Sequence, residues 1–108
     1  MEYEFMTSDT PLPPCMPFPK ALAGLPISST AKVMYCKMLD AMLTKKLEDE
    51  NGILFVYFPI KQLAAILSRC EMTIKRSLNE LENAGLIMRV RQRGFAKPNR
   101  IYILIPKI

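Results

Sequence analysis

The sequence predicts an α+β fold that is mainly α, and three observations predict it. Two short helical patterns, 59–68 and 71–84, are separated only by a break at Arg69-Cys70. Two β-rich runs, 86–91 and 100–105, enclose a loop rich in Arg and Lys. The charge is also split along the chain. Residues 1–58 hold five basic and seven acidic residues, whereas residues 59–108 hold ten and three. A helix pair with a tight break, followed at once by a basic hairpin, is the pattern of a winged helix-turn-helix: three helices plus a small antiparallel sheet with one basic wing.

The elements follow in order. Residues 1–27 read as a Pro-rich arm, and residues 28–108 as the winged-helix domain. Six prolines between Pro11 and Pro26, together with Gly24, oppose regular structure over most of the arm. Phe18, Leu22 and Leu25 are expected to pack on the core; the alternative is an arm used for dimerisation or for tracking along a partner. Ser28, Ser29 and Thr30 are N-cap candidates for a first helix that runs to about Lys46. Its apolar stripe is Ala31, Tyr35, Met38, Leu39 and Met42. Residues 48–52 (Glu-Asp-Glu-Asn-Gly) are expected to form a solvated loop rather than a cation site. Residues 53–58 are rich in β-branched and aromatic side chains, stop at Pro59, and predict a strand that pairs with the hairpin.

Pro59 suits the start of a second helix, whose apolar face is Leu63, Ala64, Ile66 and Leu67. The third helix spans about 71–84 and buries Ile74, Leu78 and Leu81, at spacings of four and three. Gly85 occupies its C-cap. Cys70 stands where Ser or Asp would cap this helix; a thiol is a poor acceptor, so the cap is expected to be weak.

Composition excludes several function classes. With 108 residues, half of them apolar, there is one domain with a real core. The absence of His removes the commonest general base and metal ligand. Cys15, Cys36 and Cys70 are too far apart for a CxxC pair, so no zinc site is expected, and an odd, sparse count suits a reducing cytoplasm. No nucleophile–base pair or nucleotide loop is visible; the expectation is a non-enzyme with no cofactor and no small-molecule substrate. Glu2, Glu4 and Asp9 sit where a signal peptide would carry cations, and the apolar run 53–60 is too short to span a bilayer.

What remains is an anionic partner, and duplex DNA fits the arrangement. A recognition helix needs one apolar face to anchor it and one polar, cationic face that fits a major groove about 12 Å wide. Residues 71–84 supply both. Arg76 and Asn79 can form bidentate bonds to base edges, Thr73 can meet a phosphate or a base, and Met72 can touch a thymine methyl. Lys75, Arg91, Arg93, Lys97 and Arg100 are phosphate candidates, with Gln92 and Asn99 beside them in the wing. Glu71 is read as an N-terminal helix acid favoured by the dipole; the alternative is an acceptor for cytosine N4.

The segments Met16-Pro-Phe-Pro-Lys-Ala-Leu, Ser28-Ser-Thr-Ala-Lys-Val-Met-Tyr, 71–87 and Lys97-Pro-Asn-Arg-Ile-Tyr resemble the N-terminal domain of plasmid replication initiator A proteins (the RepA N-terminal family) of Gram-positive mobile elements. The likeness runs from about residue 5 to 106. It implies recognition of repeated sites at a replication origin, with a host replication protein as a further partner. A second copy of the chain is expected on other grounds: winged helices often act as dimers, and the Met-rich, Pro-rich surface near the arm offers a contact. It also implies longer relatives with a variable C-terminal part. The wing here reads Gly94-Phe95-Ala96, where the family often has Gly-x-Gly. A transcriptional regulator, or a winged helix used for protein contacts, is the alternative function.

Overall fold

A computed structural model describes residues 4–91 and 99–106. The element order is α1 (Lys20–Ala23), α2 (Ser29–Lys45), β1 (Leu47–Glu48), β2 (Leu54–Phe55), α3 (Ile60–Leu67), α4 (Glu71–Asn83), β3 (Ile87–Val90) and β4 (Arg100–Ile103). The fold is α+β and mainly α, with the helix pair and hairpin of a winged helix.

Local signals explain the helices. The Ser28 side chain caps α2 by accepting from the Ala31 N–H at 3.2 Å. Helix α4 ends in a complete Schellman motif: the Gly85 N–H donates to the Glu82 carbonyl and the Leu86 N–H to the Leu81 carbonyl. Gly85 has φ +74°, which a side chain would strain. The turn between α3 and α4 is made by Ser68 in the left-handed region, with the Arg69 N–H donating to the Ala64 carbonyl at 3.1 Å. Cys70 is the N-cap of α4 and makes no side-chain cap bond to a backbone N–H. Cys70→Ser should therefore raise the melting temperature by roughly 3–5 °C, read by circular dichroism.

The core joins Met34, Tyr35 and Met38 of α2 to Leu63 of α3, Ile74, Leu78 and Leu81 of α4, and Leu86, Ile87 and Ile101 of the hairpin. Tyr35 is buried, and its hydroxyl donates to the Leu104 carbonyl at 2.7 Å, closing the C-terminal strand onto α2. Burial pushes the phenol above its usual pKa. Tyr35→Phe would leave that carbonyl without its donor; a loss of about 1 kcal/mol in urea unfolding is expected.

The arm is irregular over most of its described length, as expected, apart from one helical turn, α1, where Lys-Ala-Leu-Ala lies between Pro19 and Gly24; its Leu22 is fully buried and Leu25 packs on the core, also as expected. Three expectations need correction. Phe18, by contrast with Leu22 and Leu25, is 49% exposed. Ile66 is 41% exposed, since an eight-residue helix centred on Ile60, Leu63, Ala64 and Leu67 leaves it at the edge of the stripe. The predicted strand 53–58 is mostly not part of the wing sheet. Only Leu54–Phe55 is strand, paired antiparallel with β1, and a single bridge from Val56 to Ile101 joins it to β4. The reason is local: the Asp49 carboxylate accepts from the N–H groups of Asn51 and Ile53 at 2.8 and 2.9 Å. That turn folds the chain back onto residues 47–48, so the acidic stretch is a structured hairpin tip. The wing strands pair as expected, with Ile87 opposite Ile103 and Val90 opposite Arg100.

Candidate nucleic-acid interface

Helix α4 is held by its apolar face and by its flanks. Ile74, Ser77, Leu78 and Leu81 are buried, whereas Met72, Lys75, Arg76 and Asn79 are exposed on the opposite side. Met72 is 62% exposed, as a residue that meets a partner must be. Lys75 and Arg76 have no hydrogen-bond or ion-pair partner among the described residues. Thr73 is half-buried, and its hydroxyl lies 3.2 Å from the Cys70 sulfur at the helix start. The contact with this hydroxyl pulls the Cys70 thiol below its usual pKa. Arg69, in the break between α3 and α4, is exposed beside the start of α4. It adds a cation at the edge of the same face; its place in a three-residue turn was the available signal.

Two of the three acids of this half, Glu80 and Glu82, are engaged elsewhere. Glu80 accepts from the Ser28 N–H at 2.9 Å and from the Ser28 hydroxyl at 2.7 Å. In a capping box, the N3 residue satisfies the N-cap N–H; here N3 is Ala31, and a carboxylate from another helix does so. The Ser28 bonds hold Glu80 below its usual pKa. Glu82 is likewise lowered by Arg89, whose Nη2 lies 2.9 Å from Glu82 Oε1 and whose backbone N–H donates to Glu82 Oε2. Neither carboxylate is aimed at the cationic face. Glu71 remains at the first turn of α4, where the dipole favours it.

The wing residues divide. Arg91 and Asn99 are exposed at the two ends of the hairpin strands. Arg100, expected as a phosphate contact, is held within the protein. Its guanidinium sits 4.8 Å from the centre of the Phe55 ring and 3.4 Å from Glu50 Oε2. Hydrogen bonds with Tyr102, then Tyr57, further raise its pKa. Tyr102 itself donates to Asp49 Oδ2 at 2.9 Å, so this cluster ties the β1–β2 hairpin to the base of the wing. Gln92, Arg93, Lys97 and the Gly94-Phe95-Ala96 segment lie outside the described residues.

The surface thus sets the exposed face of α4 beside the strands that carry the wing. With this geometry in view, comparison with known proteins is decisive. The family model described as the N-terminus of replication initiator protein A (RepA) matches residues 24–105. The chain belongs to this family. The match spans α2 to β4 and contains every candidate from Met72 to Arg100. Solved structures share the initiator fold. "Structure of Rep-DNA complex" superposes with a TM-score of 0.71 at 22% identity, covering 88% of this chain and 78% of that one. "N-Terminal domain of DNA binding protein" gives 0.72 at 20% identity, covering 99% and 87%. "Structure of MDR initiator" gives 0.68 at 23% identity, covering 97% and 88%. No curated protein sequence matches. Among the described residues, no helix is long and apolar enough to cross a membrane.

Proposed function

We propose that this initiator-family domain binds duplex DNA sequence-specifically, at repeated sites in the replication origin of a plasmid or integrative element. The observation that carries the reading is the exposed face of α4, where Lys75, Arg76 and Asn79 stand clear of the core while Glu80 and Glu82 are turned to structural partners. Family membership supports a role in initiation, and a similar fold in a Rep–DNA complex supports the choice of partner. Arg76 reads a base edge, while Lys75, Arg91, Arg93 and Lys97 meet phosphates. The domain performs no catalysis.

Fluorescence anisotropy on duplexes tiled across the initiator gene and its flanks tests this directly. Tight binding confined to repeated sites is expected. About five neutralised phosphates should give a slope near −4 to −5 in log affinity against log salt. A flat salt response would overturn DNA binding; equal affinity for every duplex would overturn origin recognition. Lys75→Ala should weaken all duplexes alike and reduce the slope by about one. A homodimer and a host replication protein complete the proposed partners. A dimer mass in light scattering is expected for the first, and a monomer mass with one protein per repeat overturns it.

A further inference from the structure

Strand alternation turns Arg89 to the Ile87 side of β3, toward α4. Its Nη2 donates to Asn79 Oδ1 at 2.7 Å and to Glu82 Oε1 at 2.9 Å. The Arg89 side chain is only 25% exposed, so the contact is set into the junction of wing and helix. Arg has donors and no acceptor. The Asn79 atom facing it must therefore be the carbonyl oxygen, and the amide NH2 occupies the other end of the carboxamide.

We infer that Arg89 fixes Asn79 as a hydrogen-bond donor, so that Asn79 selects a base presenting acceptors in the major groove, guanine above all. This rests on the reading of α4 as the recognition helix. An unconstrained Asn pairs with adenine by accepting from N6 and donating to N7. Here the oxygen is already engaged with a cation, which weakens it as an acceptor and polarises the NH2 into a stronger donor. Guanine offers two adjacent acceptors, O6 and N7, and no donor on that edge. Asn79 is thus the specificity residue, and Arg89 positions it through a bond that the Glu82 carboxylate holds in place.

Selection from a randomised duplex pool, followed by affinities for single-base variants, tests the assignment. The wild-type chain should require guanine at one position of each site, by roughly tenfold or more over adenine. Asn79→Asp keeps the shape but removes both donors; it should lose that guanine while the position read by Arg76 is unchanged. Arg89→Met paired with Glu82→Gln frees the carboxamide without leaving a lone charge, and should move the preference at that same position toward adenine. Circular dichroism confirms that each variant folds. Adenine at this position in the wild type, or a guanine preference that survives Asn79→Asp, would overturn the inference. If Arg76→Ala also leaves every position unchanged, the recognition-helix reading fails with it. If Arg76→Ala alters a different position, only the role of Asn79 falls.

Discussion

Arg76→Ala is expected to cost the preferred duplex about 1–3 kcal/mol, roughly 5- to 150-fold in affinity, while scrambled duplex weakens only a few-fold. Arg76 is exposed on α4, in line with Met72 and Asn79 at helical spacing, and has no partner among the described residues. An arginine left unpaired on a surface is fully available to form a bidentate pair with guanine, and loses little when unbound. The measurement is a pair of titrations at one salt concentration, on the selected site and on a scrambled duplex. An equal loss on both would make Arg76 a phosphate contact. Arg100→Ala should behave differently: Arg100 is held against Phe55 and Glu50, so its loss is expected to lower the melting temperature more than the salt slope.

Leu81→Ala is expected to have the largest effect on stability. Leu81 is completely buried, where α4 packs into the core, and its carbonyl closes the Schellman turn that leads into the wing. Truncating a buried Leu removes its transfer free energy and leaves a cavity, for a total of about 2–5 kcal/mol. Against a domain stability of roughly 5–15 kcal/mol, this brings the chain near its folding threshold. Urea unfolding should show a lower midpoint with the slope unchanged. An effect below about 1 kcal/mol would mean that α4 can repack, and that the core does not hold it rigidly.

The Glu80–Ser28 bond predicts a pH dependence. The folded pKa of Glu80 lies below its usual 4.5, so the carboxylate is favoured in the native state. Its contribution is complete above the unfolded value and is lost as pH falls through the lower, folded one. The wild type should therefore lose stability below about pH 4.5. Glu80→Gln should be less stable by about 1 kcal/mol at pH 7 and show a shallower decline in acid. Parallel curves for the two proteins would assign the acid sensitivity to Glu82 and Asp49, which are lowered as well.

Much of the architecture was legible because its causes are local. The cap at Ser28, the break before Cys70, the stripe Ile74–Leu78–Leu81 and the turn at Gly85 each act within a few residues, and the observed helices begin and end where they indicate. The exposed face of α4 followed from the same periodicity, since naming the buried side names the other. Less of the sheet was legible. The strand β1 consists of two exposed residues and carries no alternation, so nothing in 47–48 announced it. A β-rich run at 53–58 also contains no information about which neighbour will take its edge.

The sequence by itself determined a basic winged helix with a polar recognition face, because helix period, caps and charge order are properties of adjacent residues. Tertiary structure alone decided which charges that face retains. Glu80 meets Ser28 across 52 positions, and Tyr35 reaches Leu104 across 69. Arg89 turns inward to Glu82 and Asn79, and Arg100 turns to Phe55. A periodicity states that a side chain leaves the core, but not what it then encounters. Whether a cation on the surface meets a carboxylate, a ring or a phosphate depends on which elements the fold brings beside it.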